Sequence, residues 1–343
     1  MIMIWDKLPH HFTCLAPMEG VTDVVFRAAI AKAGRPDLFF TEFTNVSSFA
    51  SEKGRHDALE RLSKNDTDSP IIAQIWGKNP DHFAELAGAL ERLGFEGLDI
   101  NMGCPDKHVV KAGGGSNMIR TPDLAVECIK RAKENTNLPV SVKTRLGFTY
   151  VDEYKEWIPL LLKQNIANLT VHLRTRKEMS KVKAHFELIP EIIKMRDEIA
   201  PQAKLTFNGD ILAKTRPADD TDEAHVYADE LFAKYPDIDG VMIGRGVFSN
   251  PYCFADKIAN REDLLELFRY HLDLFDAHQA DLAERNANES NEKLHLHYPY
   301  EPLKRMFKVY LHSFPGASDL RAELMDCKTT DELRSTLDKF TLK

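Results

Sequence analysis

At 343 residues, the chain is long enough to form one large α/β barrel and a smaller second domain. Hydrophobic residues make up 43% and charged residues 29%, an ordinary globular composition that excludes collagen-like, coiled-coil and disordered chains. The net charge of −8 is unusual for a nucleic-acid-binding protein, because such proteins bind through a basic surface. Any surface of that kind therefore has to be a local patch.

The five cysteines are odd in number, widely separated and never spaced as a Cys-x-x-Cys pair. This pattern favours reduced thiols in a cytoplasmic protein and argues against both a disulfide framework and a metal site. No apolar run approaches the roughly 20 residues of a membrane span, and the N-terminus does not have the pattern of a signal peptide. We therefore expect a cytoplasmic protein without a membrane or metal partner.

Short β-type runs alternate with amphipathic helical segments along most of the chain. The predicted strands are residues 12–18, 38–43, 71–76, 98–102, 140–144, 168–173, 204–208 and 240–243. Helices are predicted at 81–93, 122–134, 153–164 and 187–198, the second capped by Thr121 with Pro122 at its first position. Because the strands alternate with helices, the sequence predicts an α/β fold, a (β/α)8 TIM barrel, with an open doubly wound sheet as the alternative.

The pattern changes after the seventh predicted strand. Residues 214–223 are polar and predict an insertion. Beyond residue 254 no further β-type run occurs, and helices are predicted at 263–283 and 302–313 on either side of a polar break at 286–292. The expected organisation is a barrel domain at 1–253 followed by a smaller helical domain at 254–343.

Cys104 stands in the turn after the fourth predicted strand, within the sequence Ile-Asn-Met-Gly-Cys-Pro at 100–105. Gly103 relaxes the backbone and Pro105 fixes it, so the thiol lies at a defined bend. The carboxyl ends of barrel strands are where TIM-barrel enzymes place their chemistry. A lone cysteine is usually a small buried hydrophobic residue. Asn101 and the glycine-rich loop at 111–115 favour a functional thiol instead.

Other predicted strand ends also carry polar side chains. Gln74 interrupts an apolar strand, and a buried amide needs hydrogen-bond partners that are either structural or functional. Lys143 has two chemical uses at a barrel mouth, as an amine that forms a Schiff base or as a cation beside an anionic cofactor. A solvated lysine is the alternative without a function. His172 and Arg174 are two residues apart and therefore face the same side of their strand.

The clearest chemical signal comes from the last two predicted strands. Residues 208–210 (Asn-Gly-Asp) follow the seventh strand, and residues 244–246 (Gly-Arg-Gly) follow the eighth. Phosphate sites in TIM barrels lie at these two loops, where glycine lets the backbone approach a ligand closely. Arg245 adds a charged donor for phosphate oxygens. The two loops together predict a phosphorylated ligand.

These segments form a series that runs in order along the barrel: Ala-Pro-Met-Glu-Gly-Val-Thr-Asp at 16–23, Gln74, Ile-Asn-Met-Gly-Cys-Pro at 100–105, Val-Lys-Thr-Arg-Leu-Gly at 142–147, Val-His-Leu-Arg-Thr at 171–175, Asn-Gly-Asp at 208–210 and Ile-Gly-Arg-Gly at 243–246. The series resembles the tRNA-dihydrouridine synthase family. Other flavin barrels share the phosphate motif, but the Asn-Met-Gly-Cys-Pro segment distinguishes this family. The helical segment at 302–311 resembles the family's RNA-binding domain.

The resemblance implies flavin mononucleotide (FMN) at the barrel mouth, NAD(P)H as its reductant, and reduction of the 5,6-double bond of uridine in tRNA. It implies that Cys104 donates a proton to uracil and that Asn101 and Arg174 lie beside that base. The implied cofactor contacts are Pro17, Met18, Glu19, Gln74, Lys143, His172, Asn208, Gly209, Asp210, Gly244 and Arg245. The implied tRNA contacts are Lys304, Arg305 and Lys308, and a monomer is expected.

Two stretches weaken parts of this interpretation. The basic residues Lys293, Lys304, Arg305 and Lys308 are interleaved with aromatic residues, but a helix with a solvated basic face would have the same composition. RNA contact there rests on the resemblance. The loop at 179–186 lacks the tyrosine- and glycine-rich run of many relatives, so uracil contacts are not assigned in it.

Three other functions remain as alternatives. A flavin barrel acting on a small metabolite shares the cofactor residues but leaves the helical domain unexplained. A lyase that uses Lys143 as a Schiff-base nucleophile would be colourless when purified. A non-catalytic RNA-binding module is disfavoured by the intact set of cofactor residues.

Overall fold

The computed structural model describes residues 3–255, 257–289 and 295–341. Lys293 and residues 290–292 of the predicted polar break lie outside them. The strands are β1 (Phe12–Leu15), β2 (Phe39–Phe40), β3 (Thr44–Asn45), β4 (Ile71–Trp76), β5 (Leu98–Met102), β6 (Val140–Arg145), β7 (Asn168–His172), β8 (Lys204–Asn208), β9 (Ile211–Ala213), β10 (Val226–Tyr227) and β11 (Gly240–Ile243).

The α-helices are α1 (Ile4–Lys7), α2 (Val24–Ala33), α3 (Val46–Ala50), α4 (Glu52–Arg61), α5 (Pro80–Arg92), α6 (Lys107–Lys111), α7 (Pro122–Glu134), α8 (Tyr154–Leu162), α9 (Ile189–Ile199), α10 (Ala228–Lys234), α11 (Gly246–Ser249), α12 (Arg261–Ala287), α13 (Leu303–Tyr310), α14 (Ala317–Met325) and α15 (Thr330–Thr341). Short 3-10 helices occupy Asp66–Asp68, Gly115–Arg120, Val151–Glu153 and Phe186–Leu188.

The barrel wall consists of parallel strands in the order β1-β11-β8-β7-β6-β5-β4-β2. A parallel bridge between Cys14 and Leu38 connects the two ends of this series and brings the wall close to full closure. Parallel neighbours require crossover connections, and the helices between the strands supply them on the outside. The predicted (β/α)8 TIM barrel is confirmed, and the open doubly wound sheet is excluded.

Several predicted boundaries are wrong. β1 ends at Leu15 rather than at residue 18, because Pro17 has no N–H with which to continue the ladder. β2 ends at Phe40 rather than at residue 43. The Gln74 amide of β4 donates to the Thr41 hydroxyl at 3.0 Å instead of to a backbone carbonyl of this segment, so the strand pairing stops there. These early ends leave both segments free to turn into the loops at the barrel mouth.

The helix predicted at 122–134 has the predicted bounds, with Thr121 at the N-cap position and Pro122 in the first turn, but the Thr121 side chain makes no capping hydrogen bond. The Thr121 hydroxyl faces the preceding 3-10 helix and donates to the Asn117 carbonyl at 3.4 Å. Helix α12 continues to Ala287, into the predicted polar break, and α13 ends at Tyr310 instead of residue 313.

Polar side chains inside the barrel are paired with one another across neighbouring strands. Ser141 donates to Asp99 at 2.6 Å, and Thr206 donates to Asn168 at 2.8 Å. Because unpaired polar groups are costly when buried, such pairing makes a polar barrel interior stable. The interior can therefore hold the polar residues on which a site at the strand ends depends.

The C-terminal helices pack on the barrel through α12 and α2. His271 of α12 is buried against Phe26 of α2, and its Nδ1 lies 2.6 Å from the Tyr310 hydroxyl of α13. Tyr298 also donates to Asp23, which caps α2, at 2.7 Å. The helical region thus lies beside the first barrel turn, residues 16–23 between β1 and α2. Its separation from the barrel as a domain at residue 254 stays a prediction. In the described ranges, none of the helices has both the length and the apolar character that a membrane crossing requires.

Candidate active site

A cavity of about 490 Å³ lies at the carboxyl ends of the barrel strands. Its volume is within the range of roughly 300–1,000 Å³ that is usual for cofactor and small-molecule sites. Most of the residues predicted for cofactor or substrate contact line it: Pro17, Met18, Asn101, Cys104, Lys143, His172, Arg174, Asn208, Gly209, Asp210, Gly244 and Arg245. The barrel topology therefore brings together residues that are far apart in the sequence.

Gln74 and Glu19 do not line this cavity. The Gln74 side chain is fully buried, donates to Asp99 at 2.7 Å and accepts from Asn101 at 2.9 Å. Glu19 faces a neighbouring groove and pairs with Arg61 at 2.6 Å. Direct contact of these two residues with a cofactor stays a prediction.

The turn that carries Cys104 is held by hydrogen bonds on both sides. The Asn101 side-chain oxygen accepts from the amides of Gly103 and Cys104, at 3.1 and 2.9 Å. The Cys104 carbonyl accepts from both the amide and the hydroxyl of Ser116, at 3.0 and 2.9 Å. Gly115 has a φ of +56°, and a Cβ there would lie 2.8 Å from the Cys104 carbonyl oxygen. The glycine-rich loop therefore packs directly against the cysteine.

The thiol of Cys104 is suited to donate a proton. Burial raises its pKa above the ordinary value, and the neighbouring cations Arg145 and Lys143 offset only part of that rise. The thiol is consequently protonated at neutral pH, as a general acid must be, whereas a nucleophilic cysteine needs its thiolate. The other cysteines, Cys14, Cys128, Cys253 and Cys327, are free thiols buried away from the cavity.

Three nitrogen groups dominate the electrostatics of the cavity. Burial, with repulsion by Arg145, lowers the pKa of Lys143 to about 8, and its ammonium donates to Asn208 at 3.2 Å. Burial lowers the pKa of Arg145 to about 10, so its guanidinium remains charged. Burial and these cations hold the pKa of His172 well below its ordinary value, so the imidazole is neutral. The cavity is thus a cationic site for an anionic ligand.

Arg145 is a cavity residue that the sequence reasoning did not assign. Its guanidinium donates to the Gly103 carbonyl at 2.7 Å, next to Cys104, and to the Thr175 and Met179 carbonyls at 3.2 and 3.3 Å. Its spacing from Lys143, two residues along the same strand, could have identified it, because both side chains face the same side.

Arg174 is almost fully buried, and three groups already engage its guanidinium. It pairs with Asp210, donates to the Val182 carbonyl at 2.7 Å, and lies 3.3 Å from the His172 ring. Burial raises the pKa of Asp210, but the hydrogen bonds from Arg174 and the Ala184 amide, with the charges of Arg174 and Arg245, together lower it below its ordinary value, so the carboxyl remains ionised. Arg174 thereby holds the loop after β7 in place, and its contact with uracil stays a prediction.

Arg245 and Gly244 leave room for a ligand at the last strand end. The Arg245 side chain is 63% exposed and lies 3.7 Å from Asp210, so it is only loosely held. A Cβ on Gly244 would lie in ordinary contact with Ala16 and Met18, at 3.5 and 3.9 Å, so the backbone there is not tightly covered. This arrangement is compatible with the predicted phosphate contact.

A groove of about 1,100 Å³ adjoins the cavity at Cys104 and separates the barrel mouth from the helical region. Trp76 and Tyr298 contribute aromatic side chains to it, and Glu19 and Glu42 contribute carboxyl groups. Base-sized aromatic surfaces beside the thiol would suit an extruded nucleobase.

The three predicted tRNA contacts lie on α13, near this groove. Arg305 and Lys308 are exposed, and a Cβ placed on Gly20, in the first barrel turn, would be 3.6 Å from the Arg305 guanidinium. Lys304 is more covered and pairs with Glu301 at 3.1 Å. Arg305 and Lys308 are therefore more available to phosphates than Lys304 is.

We predict that Glu42→Gln stabilises the protein above about pH 7 and has little effect near pH 4. Burial, with repulsion by Asp23, raises the pKa of Glu42 to about 7. As pH rises, the unfolded chain ionises this carboxyl first, so wild-type stability falls between the unfolded and folded pKa values. Glutamine removes that loss, which amounts to about 1–3 kcal/mol.

Denaturant unfolding at both pH values measures this effect, with the exposed Glu52→Gln as the matched control. An equal free energy of unfolding for Glu42→Gln and wild type at about pH 8 would show that the Glu42 carboxylate is not destabilising.

Comparisons with known proteins agree with the motifs. A family model described as dihydrouridine synthase (Dus) matches residues 14–343. The probable tRNA-dihydrouridine synthase 2 of Bacillus subtilis (strain 168) is 48% identical over 341 residues, covering 99% of this chain and 97% of that protein. The probable tRNA-dihydrouridine synthase of Staphylococcus aureus (strain COL) is 46% identical over 338 residues, covering 98% and 95%.

Among solved structures, morphinone reductase matches with a TM-score of 0.46 and 15% identity, covering 72% of this chain and 84% of that one. An old yellow enzyme homologue from Zymomonas mobilis matches with a TM-score of 0.45 and 14% identity, covering 91% and 100%. The family assignment does not depend on these two. The match along nearly the whole chain confirms the resemblance seen in the motifs, and the chain belongs to the dihydrouridine synthase family.

Proposed function

We propose that the protein reduces uridine in tRNA to dihydrouridine, with FMN bound in the barrel cavity and NAD(P)H as the reductant. The observation that carries the proposal is the position of Cys104 in the wall of a cavity that also holds Lys143 and Arg245. The raised pKa of the thiol supports its role as a proton donor. A proton donor beside a cationic cofactor site is what the reduction of a carbon–carbon double bond requires.

The residues of the cavity fit FMN. Arg245 is exposed enough to meet a phosphate, and both it and Gly244 line the cavity. Lys143 is a buried cation that would stabilise negative charge on a reduced cofactor, and Asn208 orients its ammonium. When bound, FMN supplies the hydride that uracil receives at C6.

Cys104 would complete the reduction by giving its proton to uracil C5. Hydride addition at C6 would leave an enolate whose negative charge is shared by C5 and O4 of the base, and protonation at C5 would neutralise it. Arg145 and Lys143 favour the thiolate that remains, because both cations act to lower the thiol pKa. Asn101 keeps the turn, and with it the thiol, in position.

The target uridine has to leave the folded RNA to reach Cys104. The groove beside Cys104 offers a path, and Trp76 in its wall would provide an aromatic surface for a base. The exposed Arg305 and Lys308 would contact the tRNA backbone near the groove. We expect the enzyme to act as a cytoplasmic monomer.

Neutralising Arg305 and Lys308 together should weaken tRNA binding and flatten its salt dependence. Each lost phosphate contact lowers the slope of log affinity against log salt by about 0.7–0.9. Lys304→Ala should change this slope less, because the Lys304 ammonium is already paired with Glu301. Filter binding at several salt concentrations measures the slope, with Lys194→Ala, an exposed residue on α9, as the control. An unchanged slope for the double variant would show that the basic face of α13 is solvated and does not contact tRNA phosphates.

The purified protein should be yellow and release FMN on denaturation. Arg245→Ala should weaken FMN binding about tenfold, at the low end for a charge-assisted hydrogen bond because the side chain is exposed. Fluorescence titration of the FMN-depleted protein measures this, with the exposed Arg92→Ala as the control. A protein that shows no flavin absorbance after incubation with FMN would contradict the proposed cofactor, and a colourless protein would favour the lyase alternative.

A further inference from the structure

Residues 214–225, which extend the predicted polar insertion of 214–223 by two residues, form a braced segment between β9 and β10, and these two strands pair with each other in a small parallel sheet. Arg216 holds it by donating to the carbonyls of Asp220, Asp222 and His225 at 3.3, 3.1 and 2.8 Å. The same guanidinium pairs with Glu230 of α10 at 2.5 Å. The path of the chain through residue 225 is therefore fixed.

This element forms part of the wall of the cofactor cavity. Ala224 and His225 line the cavity together with Gly244 and Arg245. Strand β9 packs closely against the first residue of α11, because a Cβ on Gly246 would lie 2.2 Å from the carbonyl oxygen of Leu212 in β9. The insertion thus belongs to the same end of the cavity as the predicted phosphate loop.

The His225 ring is held by a carboxylate network. Its Nδ1 lies 2.7 Å from Asp220, which also accepts from the Tyr227 hydroxyl and from the Asp222 amide at 3.0 Å. These hydrogen bonds hold the pKa of Asp220 well below its ordinary value, with the Tyr227 hydroxyl contributing most. Because an ionised carboxylate only accepts, Nδ1 carries a hydrogen.

The other ring nitrogen is available to a ligand. Nε2 lies 3.5 Å from Asp222, beyond the usual length of an N–H···O hydrogen bond. The side chain is 45% exposed, so a ligand in the cavity can reach it. Without the imidazole, the acidic side chains of the insertion would repel an anion at this end of the cavity. The histidine converts an acidic segment into one that can accept a phosphate.

We propose that His225, as an imidazolium with its Nδ1–H held by Asp220, donates a hydrogen bond from Nε2 to the phosphate monoester of bound FMN. Asp220 acts as its positioning residue. The inference rests on the proposed function, because it concerns the same cofactor. Arg245 and His225 would share the phosphate charge from two separate elements. The 2′-phosphate of NADPH has the same chemistry, so the test separates the two sources.

The test compares FMN with riboflavin, which lacks the phosphate, in titrations of the FMN-depleted full-length protein. His225→Asn retains a group for Asp220 but places nothing at Nε2, so it should weaken FMN binding about tenfold and leave riboflavin binding unchanged. His225→Gln, whose amide nitrogen can occupy the position of Nε2, should recover part of the loss. Asp220→Asn should weaken FMN selectively but less, and His10→Gln, at the opposite end of the barrel, should change nothing.

Equal losses for FMN and riboflavin, or no loss for either, would overturn the proposal, because the ring would then only shape the wall. A selective loss of NADPH over NADH as reductant, with FMN affinity unchanged, would overturn it in favour of the nicotinamide phosphate. Wild-type protein that binds neither flavin would overturn both this inference and the proposed cofactor. Wild-type protein that binds both flavins, with variants that do not discriminate between them, would leave the proposed function standing and remove only this inference.

Discussion

Cys104→Ala should slow dihydrouridine formation in a single turnover by roughly 10²–10⁴-fold, the usual contribution of a positioned general acid. The FMN content and the reduction of FMN by NAD(P)H should stay at wild-type levels, because neither involves the thiol. Cys104→Ser should also slow dihydrouridine formation, since a hydroxyl is a far weaker acid than a thiol.

A rapid-quench measurement with reduced enzyme and unmodified tRNA gives this rate. Cys327→Ala is the matched control, because its thiol is buried in the helical region and lies outside the cavity. If Cys104→Ala makes dihydrouridine at the wild-type rate, the residue is structural and another group donates the proton.

Asp68→Ala should lower the free energy of unfolding by about 3–5 kcal/mol, because it leaves a buried cation without its partner. Arg27 and Asp68 are fully buried and 2.8 Å apart. Arg27 also donates to the Thr22 and Ser63 carbonyls at 2.7 and 2.6 Å, so it anchors the first barrel turn at the cavity mouth. Asp68→Ala should therefore weaken cofactor binding as well as lower the free energy of unfolding.

Denaturant unfolding measures this loss, with Asp66→Ala, an exposed change in the same 3-10 helix, as the control. Replacing both partners, with Arg27→Met and Asp68→Leu, should recover part of the stability, because no unpaired charge is then buried. A double variant as unstable as Asp68→Ala would assign the loss to packing instead of charge.

Much of the cavity could be predicted from the sequence because alternation of strands and helices is a strong signal. Once the chain is a parallel barrel, every strand ends at the same rim, so Cys104, Lys143, His172 and Arg245 must lie near one another. No knowledge of side-chain contacts is needed for that conclusion. The motifs then indicate the chemistry.

Side-chain partners were harder to predict, because they depend on register between strands. Gln74 pairs in register with Asp99, and this places its amide between Asp99 and Asn101 and below the cavity. In the same way, the engagement of Arg174 by Asp210 depends on the path of the loops after β7 and β8. Sequence spacing identifies such residues as polar groups near the site but not which neighbour each one contacts.

Two contributions to the site come from segments whose composition pointed elsewhere. The acidic insertion gave no sign that His225 lines the cavity, because that depends on the pairing of β9 with β10. The basic face of α13 looked uniform, yet Glu301 engages Lys304 and leaves Arg305 and Lys308 exposed. Long-range pairing and local ion pairs decide both outcomes.

The proposed reaction takes place on uridine within tRNA. The most direct measurement is mass spectrometry of nucleosides from an unmodified tRNA transcript after incubation with the FMN-loaded protein and NADPH. One or more uridines should gain the mass of two hydrogen atoms with wild-type protein, and far more slowly with Cys104→Ala. No mass gain in the tRNA with FMN-loaded protein, or reduction of free uridine alone, would contradict it.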